Sequence, residues 1–291
     1  MSSLTITIIQ TNLHWEDKAA NLQMLEQKIN SIKDKTEIVV LPEMFSTGFS
    51  MNPGKLAETM NGETLQWMKR VAIAKKVILT GSIIIKEGAP SPLEFPGKAK
   101  GRGEARGGEA YFNRLIWMLP DGQYGIYDKR HRFAFAGEDQ HYTAGNKRLI
   151  ASVKGWKINL QVCYDLRFPI WSRQTPPPQE EVGKGPEYDL LIYVANWPER
   201  RNTAWKTLLQ ARAIENQCFV VGVNRIGKDG NDINHSGDSM IIDPLGEILY
   251  HKKEEEDIFT LTLDKNHLKT VREKFPFWKD ADEFQINPLS P

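Results

Sequence analysis

The sequence predicts an α/β fold in which two β-sheets pack face to face, each covered on its outer side by helices. Two observations carry this. A strand, a helix and a second strand fill residues 4–41, the pattern of a βαβ unit whose sheet is covered by helices. Strand-like runs then recur almost to the C-terminus, roughly a dozen in all, which is many for one sheet with helices on both faces.

Residues 4–9 (Leu-Thr-Ile-Thr-Ile-Ile) are β-branched and partly alternating, a first strand. Over 17–32, Ala20, Leu22, Leu25, Ile29 and Ile32 recur at near-helical spacing. Residues 37–41 are an almost wholly apolar strand, ended by Pro42-Glu43. A helix follows over 64–75 and a strand over 77–85. Strands at 111–119 and 124–127 flank the Asp121-Gly122 turn. Between 85 and 111 lies 88–108, rich in Gly, Pro, Lys and Arg. It reads as a flexible excursion at a hairpin tip, with a basic binding loop as the sharper alternative.

The run 158–163 alternates Ile158, Leu160 and Val162 on one face and stops at Cys163. A short helical piece and the proline-rich surface loop 175–186 follow. A strand at 188–194 leads into Ala195-Asn196-Trp197-Pro198. Trp205, Leu208, Leu209 and Ile214 then mark a helix, and 218–223 a strand. Strands at 239–242 and 247–250 flank the Asp243-Pro244-Leu245-Gly246 turn, and 258–263 is the last. No internal repeat or linker divides the chain, so a single domain over 1–291 is expected.

A net charge of +1 gives no reason to expect nucleic acid or an anionic membrane as partner. No apolar run reaches the roughly 18 residues that span a bilayer, and Met1-Ser2-Ser3-Leu4-Thr5 lacks a basic signal-peptide start. Two cysteines, both in apolar runs, are too few for a disulfide framework and point to a reducing cytoplasm. Cys218, inside Cys218-Phe219-Val220-Val221, reads as core. His and Cys spacings match no zinc pattern, and no phosphate- or dinucleotide-binding glycine motif is present.

Three polar residues stand at strand ends. Cys163 closes a buried strand at a sharp turn, which can aim its sulfur outward and free turn N–H groups to face what it attacks. Glu43 follows an apolar strand between Pro42 and Met44-Phe45, where partial desolvation suits a base. Lys129 follows the 124–127 strand. Each has a plainer reading: a core thiol, a loop carboxylate, a solvated basic turn. Together they form a chemical set in which Glu accepts the thiol proton, Cys attacks a carbonyl and Lys holds the oxyanion. A nearby cation also favours the thiolate.

The segments Leu41-Pro42-Glu43-Met44-Phe45, Tyr127-Asp128-Lys129-Arg130-His131 and Cys163-Tyr164-Asp165-Leu166-Arg167-Phe168-Pro169 resemble, in order, the three signature motifs of the nitrilase superfamily of carbon–nitrogen hydrolases. The resemblance runs from the first strand through Asp243-Pro244-Leu245-Gly246. Within the family the chain is most similar to the omega-amidases, through 42–49, Trp171-Ser172-Arg173 and Ala195-Asn196-Trp197-Pro198. It implies a four-layer α-β-β-α sandwich, no metal or organic cofactor, and a homodimer joined through helices near the site. It also implies Cys163 as nucleophile, Glu43 as general base, and Lys129 with the Tyr164 N–H as oxyanion donors. Glu138 fits an additional family glutamate, because Ala144-Gly145 follows at the expected distance; its expected role is to orient Lys129 and the substrate amide. The loops 88–108 and 175–186 look longer than the family's, which leaves the chemistry intact but bears on pocket access and assembly.

The implied substrates are small-molecule dicarboxylic monoamides, such as α-keto acid ω-amides. Their distal carboxylate suits a bidentate arginine, with Arg167 nearest and Arg130, Arg132, Arg200 and Arg201 as others. Asn196 and Trp197 complete the substrate-binding candidates. Rival readings are hydrolysis of a nitrile, N-carbamoyl group or peptide-like amide, a Cys163–histidine pair using His131, His141 or His235, and a non-catalytic binding scaffold.

Overall fold

A computed structural model describes residues 3–88, 108–174, 186–282, 284 and 286. Its strands in chain order are β1 (Ser3–Gln10), β2 (Ile38–Val40), β3 (Ile78–Gly88), β4 (Glu109–Met118), β5 (Tyr124–Asp128), β6 (Leu149–Val153), β7 (Trp156–Val162), β8 (Leu190–Ala195), β9 (Phe219–Asn224), β10 (Ile226–Lys228), β11 (Asn234–Ile242), β12 (Ile248–Lys253) and β13 (Asp257–Asp264). Two mixed sheets result. One is ordered β13-β1-β2-β3-β4-β5, the other β10-β11-β9-β8-β7-β6 with β12 paired to β11. The helices are α1 (Lys18–Ser31), α2 (Pro53–Leu56), α3 (Glu63–Lys75), α4 (Glu138–His141), α5 (Pro169–Ser172), α6 (Asn202–Asn216) and α7 (Lys265–Lys274).

Period-two alternation sorts side chains between layers. Ile6, Ile8, Ile38, Val40, Leu115 and Trp117 face inward and share a core with Ile158, Leu160, Val162, Leu190 and Ile192 of the other sheet. Their neighbours Ile9, Val39, Leu41, Ile116 and Met118 face outward, onto Leu22, Leu25 and Ile29 of α1 and Trp67, Met68 and Val71 of α3. On the other side, Trp205, Leu209 and Ala213 of α6 close the outer face of β8 and β9. Helix, sheet, sheet and helix make the expected four layers. Asp17 caps α1, its carboxylate accepting from the Ala20 N–H at 3.0 Å.

Parallel pairing of β1, β2 and β3, and of β7, β8 and β9, sends the carboxyl ends of β2, β7 and β8 to one edge of the molecule. Ligands of α/β sheets sit at such edges. Gly88 pairs with Glu109, so β3 and β4 form a hairpin. The expected excursion at its tip falls on residues 89–107, outside the described ones, and so does the proline-rich stretch 175–185. No helix among the described residues is long and apolar enough to cross a membrane.

Candidate active site

Three strand ends meet. The turn after β2 carries Glu43, fixed to β3 because Ser82 Oγ accepts the Met44 N–H at 2.8 Å and Ser82 O accepts the Phe45 N–H at 3.1 Å. β5 hands over to Lys129, whose N–H donates to Asn113 O at 3.0 Å. β7 ends at Val162 and hands over to Cys163, which opens a short 3-10 turn, Cys163–Arg167. Cys163 has φ 45° and Met44 φ 42°, left-handed values that cost an L-residue about 1 kcal/mol or more. That bend turns Cys163 away from the sheet and into a cavity. N–H groups at the start of such a turn, including that of Tyr164, have no partner within it.

Lys129 Nζ donates to Glu43 Oε1 and Glu138 Oε2, both at 2.9 Å, and all three side chains are buried. Glu43 Oε2 accepts the Asn196 N–H at 2.8 Å, and the Asn196 side chain donates to the Glu43 carbonyl. Glu138 also accepts from the Phe133 N–H. Burial alone would lower the Lys129 pKa, but Glu138 and Glu43 outweigh it and keep the ammonium charged. Burial pushes the Glu138 carboxyl up; Lys129 opposes this and Glu43 adds to it.

Burial, then the Glu43 carboxylate, push the Cys163 thiol well above its usual range, and Lys129 only partly offsets them. Cys163 is therefore held as a thiol rather than a thiolate.

Lys129, Cys163 and Tyr164 line a cavity of about 580 Å³, with Glu43 and Glu138 behind them. Trp197 and Asn196 line it too, with Arg167, Arg200 and Arg201. Arg167 lies over the Trp197 ring at 5.0 Å and Arg201 over Phe133 at 4.9 Å. Arg130 instead stacks on Trp171, and Arg132 donates to the Asp139 and Tyr142 carbonyls.

No histidine takes the place of Glu43. His131 bonds Asp165 through Nδ1 at 2.8 Å. His235, on the cavity wall, is pushed down to about 4 by burial and then by Arg225, with its Nδ1 against the Gly227 and Ile233 carbonyls. Among the described residues no group of three or more His, Cys, Asp and Glu is placed to hold a metal ion.

Two residues of this neighbourhood were not anticipated. Asn113 Nδ2 donates to Glu43 Oε1 at 2.8 Å and to Glu138 Oε1 at 3.2 Å. Asp165, fully buried, accepts from Tyr127 Oη at 2.6 Å, the Val162 N–H at 3.1 Å and the His131 N–H at 2.9 Å. It thereby ties the Cys163 turn to both sides of Lys129. Asn113 had left a signal: it falls in phase with Leu115 and Trp117, on the inward face of β4.

A model of the carbon–nitrogen hydrolase family matches residues 5–273. The chain belongs to that family. Among carbon–nitrogen hydrolases, an omega-amidase from Yersinia enterocolitica is 39% identical over 98% of this chain and 100% of its own length. A 2-oxoglutaramate amidase from Bacillus subtilis is 30% identical over 95% and 96%. The crystal structure of XC1258 from Xanthomonas campestris, a superfamily protein with an arsenic adduct in its active site, superposes with a TM-score of 0.87 at 39% identity, covering 99% of this chain and 100% of that one.

Proposed function

We propose that this carbon–nitrogen hydrolase cleaves the terminal amide of small dicarboxylic monoamides, α-keto acid ω-amides such as 2-oxoglutaramate, to the acid and ammonia. The observation that carries the substrate class is the unpaired charge on the cavity wall. Arg167, Arg200 and Arg201 all line it, and none pairs with a carboxylate among the described residues. Unpaired guanidinium groups around a nucleophile select a substrate with a free carboxylate at its far end. Relatives named for omega-amide and 2-oxoglutaramate hydrolysis support the same reading.

In this mechanism Glu43 takes the Cys163 proton as Sγ attacks the amide carbon. Lys129 Nζ and the Tyr164 N–H hold the oxygen that becomes negative. Collapse breaks the C–N bond, and Glu43 returns the proton to the departing nitrogen, which leaves as ammonia. The acyl group stays on Sγ as a thioester. Water, deprotonated by Glu43, attacks it; collapse frees the carboxylic acid and restores the thiol. Glu138 holds Lys129 through a second ion pair, at 2.9 Å. The same reading takes the enzyme as a cytoplasmic homodimer: both cysteines are free, which a reducing compartment preserves, and α5, beside the Cys163 turn, exposes Ile170.

Ammonia release tests this across 2-oxoglutaramate, a neutral amide of equal length, a nitrile and an N-carbamoyl compound, with Cys163→Ala as blank. The ω-amide acid should lead the panel. Arg167→Met should raise KM for acidic amides by roughly 10-fold or more while leaving the neutral amide within about 2-fold. Equal effects on both, or a nitrile turned over fastest, would contradict the assignment.

A further inference from the structure

We propose that Asn113 is a positioning residue for the hydrolysis, a single amide nitrogen that holds both buried carboxylates of the site in register around Lys129. The inference rests on the cysteine-thioester reading above. Asn113 Nδ2 carries two hydrogens, and the geometry gives one to Glu43 Oε1 at 2.8 Å and the other to Glu138 Oε1 at 3.2 Å. The opposite amide orientation would place Oδ1 against two carboxylates with no proton between them. Oδ1 itself is buried without a hydrogen-bond partner, a cost accepted in exchange for the two contacts on the nitrogen side.

The consequence for Glu43 follows from counting its lone pairs. An ionised carboxylate offers about four acceptor sites. Lys129 Nζ and Asn113 Nδ2 take two on Oε1, and the Asn196 N–H takes one on Oε2. One direction is left, open to the proton that Cys163 gives up in the mechanism above. Without Asn113 an acceptor site on Oε1 loses its donor, and the carboxylate is free to rotate about its last bond, away from the sulfur. Asn113 also sets the backbone of the amine, since its carbonyl accepts the Lys129 N–H at 3.0 Å. The charged and titratable groups around it are Glu43, Glu138, Lys129, Cys163 and the buried phenol of Tyr142. Donated N–H bonds of this kind favour the charged form of a carboxylate.

The test needs no knowledge of the natural substrate. Alkylation of Cys163 by a haloacetamide, read by mass spectrometry, and kcat/KM for the best amide of the panel are followed against pH in wild type, Asn113→Leu, Asn113→Ser and Asn113→Asp. Leucine keeps the bulk and removes the donor. Serine keeps one short donor and guards against a Leu variant that does not fold.

In Asn113→Leu the acid limb of both profiles should move up by about one pH unit, with kcat/KM falling roughly 10- to 100-fold through kcat rather than KM. Asn113→Ser should fall between. Asn113→Asp should be the most impaired, because three carboxyl groups then crowd one ammonium. Unmoved acid limbs in folded Leu or Ser variants overturn the inference, even if stability falls. A wild type inert to both the amides and the haloacetamide overturns the thioester reading beneath it. An active wild type with unmoved variants overturns only the role of Asn113.

Discussion

At the scale of the residue, the site combines a strained backbone with a thiol that resists ionisation. Cys163 sits at φ 45° and its thiol is held protonated, first by burial and then by Glu43. Strain at φ > 0 belongs to the backbone and not to the sulfur, so it survives Cys163→Ala and is relieved by Cys163→Gly. Chemical denaturation should therefore find the Gly variant more stable than the Ala variant by about 1 kcal/mol, although glycine normally destabilises relative to alanine. An Ala variant as stable as the Gly variant or more so would show that the turn stores no such strain. Both variants should be inactive, which separates stability from chemistry at one position.

At the scale of the element, the reach of Lys129 depends on how closely a neighbouring segment approaches the end of β5. Gly145 donates its N–H to Lys129 O at 3.0 Å, and a Cβ built on it would lie 2.0 Å from Asp128 O. The contact is with backbone, so no side-chain rotation relieves it. Gly145→Ala should push the Asp128-Lys129 segment off its place, costing about 1–3 kcal/mol of stability and, by moving Nζ, at least roughly 10-fold in kcat. Thermal melting with steady-state kinetics checks this, and an Ala variant unchanged in both would contradict it.

Elements also show what the sequence concealed. The long apolar strands were legible because burial on both faces leaves near-continuous Ile, Val and Leu. β6 was not. It joins β7 through Lys154-Gly155, both left-handed at φ 49° and 79°, yet lysine lacks the Asn or Asp that marks such hairpins. α7 buries only Leu268 and Val271 among charged neighbours, too few apolar residues to show a helical period. β10 is three residues long. β11 begins at Asn234, earlier than its apolar core at 239–242, because Asn234, His235 and Ser236 pair with β10 despite their polarity.

At the scale of the whole molecule, the four layers put residues distant in sequence at one edge. Glu43, Lys129 and Cys163 were legible as polar residues just past apolar strands, and their order carried the family resemblance. What joins them was harder to see. Asn113 and Asp165 act through hydrogen bonds fixed only once β4, β5 and β7 are stacked. Of five candidate arginines, sheet geometry brings Arg167, Arg200 and Arg201 to the cavity and turns Arg130 and Arg132 elsewhere. The lysine does favour the thiolate, as its place in the sequence suggested, but burial and two carboxylates outweigh it, and their weight is set only by the fold.

The central claim is that an amide's acyl group passes through Cys163. Enzyme quenched in acid during turnover of 2-oxoglutaramate, digested and weighed by mass spectrometry, tests this directly. The account predicts a Cys163 peptide heavier by the substrate's mass less ammonia, lost in Cys163→Ala together with ammonia release. Turnover persisting in that variant, with the wild-type Cys163 peptide unmodified, would contradict it.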